Sequence, residues 1–194
     1  MTLIKIGVTG HRYLDELDKV MMGVENVIQR ILETFLDSDF RILSSLAEGA
    51  DQILAKRLLL VPNTHLWVPL PLSEEEYLKD FGVTRSKEEF IHLLRKAERI
   101  IKLPEMDNRE DCYEAVGKFI VKNSNILIAI WDGKPAQGKG GTAEIVALAR
   151  THNLPLAYIH AGNRVPGTSV STSLGHEQGM VTFENFPMTN GIRT

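Results

Sequence analysis

Three short stretches of this chain combine glycine with side chains that can hold an anion or move a proton. The first is Gly7-Val8-Thr9-Gly10-His11-Arg12. Glycine lets backbone amides approach a phosphate, Arg12 offers a planar fork suited to phosphate or carboxylate, and His11 titrates near neutrality as an acid or base. Thr9, Gly10, His11 and Arg12 are therefore candidate ligand contacts; the plainer reading is a tight turn with Arg12 paired to a surface carboxylate. The second stretch, Ser44-Ser45-Leu46-Ala47-Glu48-Gly49-Ala50-Asp51, again joins small residues to acids. Ala47 and Gly49 permit close backbone approach. Glu48 or Asp51 can accept from a ribose hydroxyl or simply complement the positive end of a helix.

The third stretch, Trp131-Asp132-Gly133-Lys134-Pro135-Ala136-Gln137-Gly138-Lys139-Gly140-Gly141-Thr142-Ala143-Glu144, is the richest. Gly138, Gly140 and Gly141 allow an amide-lined anion nest, Thr142 can cap a helix or bind phosphate, and Lys139 adds charge. It lacks the Gly-Lys-Ser/Thr ending of a P-loop, so ATP hydrolysis of that type is not expected. Asp132 and Glu144 are the candidate catalytic carboxylates. A fourth segment, 69–81, brings Tyr77 and Phe81 near the same region; an aromatic can stack on a base, although such rings more often pack a short helix onto the body. Trp67 reads as core and Cys112 as structural, and the histidines show no zinc-ligand spacing, so neither a metal nor a cofactor is expected.

These loops need a scaffold that brings them together. The run 3–8 predicts a first strand. Leu17, Val20, Val24, Val27, Ile28, Ile31 and Phe35 trace one stripe of a long helix from about 14 to 35. Further strands are predicted at 41–44, 64–68, 99–103, 125–131 and 154–159. The third of the six is cut off by Pro69 and Pro71, which cannot donate to a sheet ladder. Helices are predicted between them, two opening on the capping pairs Ser73 with Glu76 and Ser86 with Glu89. Strands alternating with helices imply right-handed crossovers, hence a single α/β, Rossmann-like three-layer domain with a mainly parallel sheet. In such a sheet the strands end on one side, and the loops converge on a crevice where the strand order reverses. The domain is expected over 1–161, with 162–194 a loop-rich tail in which 180–183 suggests an edge strand.

Composition narrows the function. A net charge of -3 gives no general pull toward nucleic acid or an anionic membrane, so neither is an expected partner. A single cysteine, no leader-like start and no membrane-length apolar run together fit a cytoplasmic location.

Taken together the loops resemble the SLOG superfamily, which unites the DNA-processing protein A family, the Lonely Guy hydrolases and sensor domains including the amino-terminal part of TRPM channels. The resemblance covers residues 3–160 and rests on three motifs: the Gly7 to Arg12 turn, 44–51 as a counterpart of Ser-Gly-x-Ala-x-Gly-x-Asp, and Gly140-Gly141-Thr142 opening a helix. It implies a Rossmann-like fold that binds nucleotides or related ligands, in some members as a sensor, and a homo-oligomer. The Lonely Guy branch cleaves a nucleotide N-glycosidic bond with a glutamate three places after the threonine of Pro-Gly-Gly-x-Gly-Thr-x-x-Glu. Here that place is Ile145, Glu144 stands one earlier, and the Pro-Gly-Gly start is missing. A looser resemblance, to nucleoside deoxyribosyltransferases, rests on Trp131-Asp132-Gly133 and Glu144. The expectation is a ligand-binding or sensor domain for a nucleotide or nucleotide-derived small molecule. The alternative is an N-glycosidase or deoxyribosyltransferase-like enzyme using Glu144 or Asp132, with His11 or Arg12 aiding the leaving group.

Overall fold

A computed structural model describes residues 2–135, 139–164, 167–168 and 170–188. Gly138, one of the expected phosphate contacts, lies outside the described residues.

The chain alternates strand and helix as the apolar pattern predicts: β1 (Thr2–Gly10), α1 (Leu17–Thr34), β2 (Ser38–Leu43), α2 (Ala50–Leu58), β3 (Thr64–Leu70), α3 (Glu74–Leu78) and α4 (Thr84–Leu94). Then follow β4 (Arg99–Lys102), α5 (Arg109–Asn123), β5 (Ile126–Trp131), α6 (Thr142–Thr151), β6 (Leu156–His160) and β7 (Val181–Glu184). The seven strands form one sheet in the order β4-β3-β2-β1-β5-β6-β7. All neighbours are parallel except β6 and β7. The fold is thus the α/β, Rossmann-like arrangement, with helices on both faces of a mainly parallel sheet.

β5 shows why the sheet needs two helical layers. It is buried throughout. Ile126, Ile128 and Ile130 pack toward α1, α2 and α4, while Leu127, Ala129 and Trp131 pack toward α5 and α6. The period-2 alternation of a strand thus feeds two separate cores. On α1 the helical stripe becomes the buried face, with Val20, Val24, Val27, Ile28 and Ile31 in the first core.

Two local expectations are corrected. β3 does not stop before Pro69 but runs to Leu70, with Pro69 in register with Ile101 of β4. Successive residues of a strand address alternate neighbours. The Glu98 amide donates to Leu66 C=O, so Val68 and Leu70 carry the ladder to β4. The Ser44 amide donates to Trp67 C=O, the last bond with β2, so Pro69 faces a side where the partner strand has ended and its missing N–H costs nothing. α4 begins two residues before Ser86, whose amide already bonds Val83 C=O; burial of Phe90, Leu93 and Leu94 sets the phase of that helix. The Ser73 cap holds, its side chain accepting from the Glu76 amide.

The chain after Ala161 returns to the body. Leu14 and Asn163 form an isolated antiparallel bridge, and the Arg164 amide donates to Tyr13 C=O. Gln178 is buried: its Oε1 accepts from the amides of Gly162 and Leu174, and its Nε2 donates to Asp15 C=O. β7 then closes one sheet edge as an antiparallel strand. Among the described residues no helix is long and apolar enough to cross a membrane.

Candidate functional site

The strand order reverses between β1 and β5, and the loops leaving these two strands open a cleft of about 640 Å³ at the carboxyl edge of the sheet. That is the place where open α/β sheets accommodate ligands, and the volume lies in the ordinary range for small-molecule sites. Among the expected residues, Thr9, Gly10, His11, Arg12, Ala47, Asp51, Asp132, Gly140, Gly141 and Thr142 all line it.

Gly10 and Gly49 do their work inside the wall. A Cβ on Gly10 would lie 2.4 Å from the Ala50 Cβ, and one on Gly49 would lie 2.1 Å from Arg12 O. Gly49 also has φ +85, a left-handed value that side-chain-bearing residues rarely adopt. The two loops are therefore pressed backbone to backbone, tied by the Ala50 amide donating to His11 C=O at 3.0 Å. Gly49 does not line the cleft; it lets the β2–α2 loop seat His11 and Arg12.

His11 and Asp132 face each other across the switch point. His11 Nε2 stands 3.1 Å from Asp132 Oδ1 and 3.2 Å from the Asp132 amide nitrogen. With a proton on Nε2 the ring donates to the carboxylate; without it the ring accepts from the amide. Burial lowers the pKa of His11, and the Asp132 carboxylate opposes that shift. Lys134 steadies the acid, its amide donating to Oδ1 and its ammonium lying 3.6 Å from Oδ2.

Arg12 makes no ion pair with any described carboxylate. One of its nitrogens donates to Asp80 C=O at 3.3 Å, and the guanidinium borders the cleft. Asp51 sits deeper and is buried, accepting from the hydroxyls of Ser44 at 3.0 Å and Ser45 at 3.1 Å. Burial pushes its pKa up to about 6, against the pull of these hydroxyls, the Ala47 amide and the Arg12 charge.

The opposite wall is the start of α6, whose N-cap is Gly141 and which has no side-chain cap, so its first amides point out of the helix without an intrahelical acceptor. Glu144 turns back to accept from the Gly140 amide at 2.6 Å and borders a shallower depression behind the loop, not the main cleft. Glu48 is buried outside the cleft lining, where one carboxylate oxygen accepts from the Tyr13 hydroxyl and the Gly82 amide. Lys139 pairs with Asp111 at 3.3 Å.

Lining residues such as Tyr113, Asn163 and Arg164 had no signal as site residues. Tyr77 is buried with Phe81 and Phe90, so the packing reading of these aromatics holds, yet its hydroxyl donates to Ser45 Oγ at the cleft. Tyr113 on α5 lines the cleft and is hydrogen-bonded to Asp80, which Arg109 grips with two bonds of 2.8 Å. Trp131, the first residue of the third motif, ends β5 and lines the cleft. Asn163 and Arg164 come from the tail, whose glycine- and serine-rich composition hides them.

No protein-family model matches the chain, and no curated protein matches it significantly.

Proposed function

We propose that this chain binds a nucleotide or a nucleotide-derived small molecule in the β1/β5 cleft, as a ligand-binding or sensor domain. The observation that carries the reading is the Arg12 guanidinium, unpaired by any described carboxylate, in a switch-point cleft whose other wall is an uncapped helix start. Phosphate is the group that satisfies both, through charge-assisted bonds from the arginine and through helix amides. In this reading Asp51 accepts from a ribose hydroxyl and the Tyr113 ring, at the cleft wall, meets a base. The likeness of the three loop motifs to the SLOG superfamily agrees with this reading. The test is a thermal-shift and calorimetric screen of mono- and dinucleotides, NAD, ADP-ribose and cyclic nucleotides, since a ligand that binds only the native state raises apparent stability. Failure of every phosphate-bearing compound to bind refutes it.

A second reading, turnover at the N-glycosidic bond, is favoured by one observation, the His11–Asp132 couple within the cleft. With its Nε2 proton held by Asp132, His11 presents the lone pair of Nδ1. It takes the proton of a water whose oxygen bonds the anomeric carbon as the base departs with the glycosidic electron pair. Of the two carboxylate candidates, Asp132 lines the cleft and Glu144 turns back onto the Gly140 amide ahead of its helix. Chromatography of nucleotides incubated with the protein decides: base release abolished by Asp132→Asn supports turnover, and intact nucleotide throughout leaves binding alone.

A further inference from the structure

The second helical layer does not cover the whole sheet. α5 and α6 lie over β1, β5 and β6, with α5 reaching β3 and the carboxyl end of β2. Over the amino-terminal halves of β2, β3 and β4 no described helix lies. Strand alternation and register place Lys5, Arg41, His65, Trp67 and Arg99 on this same open face. Trp67, which reads as core in the sequence, is instead only partly buried there and is ringed by cations: Arg99, Arg41 and Lys5 lie 5.2, 5.8 and 6.0 Å from its ring centroid. Glu98 fixes the array, accepting from Trp67 Nε1 at 2.7 Å and pairing with Arg41 at 2.9 Å. Asp39 is the other acid on this face. Three permanent cations, Lys5, Arg41 and Arg99, against the two acids leave the patch positive by one charge on a chain whose net charge is -3.

We infer that this face docks an acidic amphipathic helix of a partner polypeptide. A parallel sheet buries both faces, and a helix is the element that covers one. Charge selects an acidic partner and argues against a second copy of the same patch. Lys5 and Arg41 stand on adjacent strands about 4.8 Å apart, close to the ~5.4 Å between carboxylates one helical turn apart. The cations over Trp67 compete with a nucleobase for its ring, while Arg41 is already held by Glu98 and Arg99, exposed and in no ion pair with a described carboxylate, can take an incoming carboxylate.

The test uses the full chain and a synthetic helical peptide with glutamates at i, i+4 and i+7 beside a leucine stripe. Its glutamine twin, an oligo-dT and phosphatidylserine vesicles serve as the other arms. Binding is read by calorimetry at low salt for the native chain, for Arg99→Glu and for Arg41→Glu/Arg99→Glu, with thermal unfolding as the check on folding. Expected are measurable affinity for the acidic peptide and at least a tenfold loss in the glutamine twin. A comparable loss is expected in both protein variants, Arg99 being exposed in the native fold. The inference is overturned if the acidic peptide does not bind at millimolar concentration, if the glutamine twin or Arg99→Glu binds as well as its parent, or if the oligonucleotide or vesicles bind more tightly.

Discussion

Asp51→Asn tests whether the candidate site is held in an electrostatically costly state. Asp51 is buried beside Arg12, with two serine hydroxyls donating to one oxygen, and burial raises its pKa from the ordinary 3.8 to about 6. A carboxyl whose folded pKa exceeds its unfolded value favours the fold only while protonated. That contribution is complete below about pH 4 and is lost as pH rises through about 6. At about 1.36 kcal/mol per pKa unit, the shift from 3.8 to about 6 sets a ceiling of ~3 kcal/mol on the cost of the ionised group at pH 8. Asparagine keeps the shape and an accepting oxygen but cannot ionise. Its amide changes the hydrogen bonding by an amount that does not vary with pH, so only the pH dependence of the difference reports on the charge. Urea unfolding of both proteins at pH 4 and pH 8 is therefore expected to show the variant gaining on the wild type by on the order of 2–3 kcal/mol between the two. For a domain of this size that corresponds to roughly 5–10 °C in Tm. All other titrating groups are common to the pair and cancel. A stability difference that is the same at both pH values, or that moves against the variant at pH 8, refutes the argument that burial dominates at Asp51.

Arg12→Ala is expected to weaken nucleotide binding tenfold to a hundredfold, since a charge-assisted bond contributes on the order of 1.5–3 kcal/mol, with the Tm of the unliganded protein little changed; calorimetry checks both. Glu144→Gln is expected to leave ligand affinity within about threefold of wild type, because that carboxylate serves the Gly140 amide and not the main cleft. A tenfold loss in the same titration would return it to the site. Gly49→Ala adds a Cβ 2.1 Å from Arg12 O at φ +85 and is expected to cost roughly 2–5 kcal/mol in denaturant unfolding. A cost below ~1 kcal/mol would mean the two loops are not pressed together as described. Gln178→Ala strips the partners from two amides and one carbonyl and is expected to lower stability by roughly 1–3 kcal/mol, with hydrogen exchange rising at Gly162 and Leu174.

The scaffold was legible because apolar periodicity is a local consequence of what each element must bury. The α1 stripe, the uninterrupted run of β5 and the alternation of strand with helix were enough to imply a parallel sheet with two covered faces. Glycine-rich turns after strands one, two and five were enough to imply where a cleft would open. Local pattern misjudged β3 and α4, because whether a proline costs a ladder bond depends on how far the neighbouring strand extends, and a helix start is set by which face is buried.

The division of labour among site residues belongs to the tertiary structure. Gly10 and Gly49 look alike in sequence, yet only the approach of one loop's backbone to the other makes Gly49 a spacer behind the wall. Asp132 and Glu144 are both acids flanking one glycine-rich loop. The pairing of β1 with β5 hands Asp132 to His11, while the pitch of α6 turns Glu144 back onto Gly140. Arg164 reaches the cleft from a tail without periodicity, because hydrogen bonds to Tyr13 and Asp15 fold that tail over the switch point. Trp67, apolar by type and strand-like by position, became part of an open cationic face because the helical layer stops short of it. Residue type and spacing act within a few residues along the chain; these outcomes were decided by which distant backbone came to lie alongside.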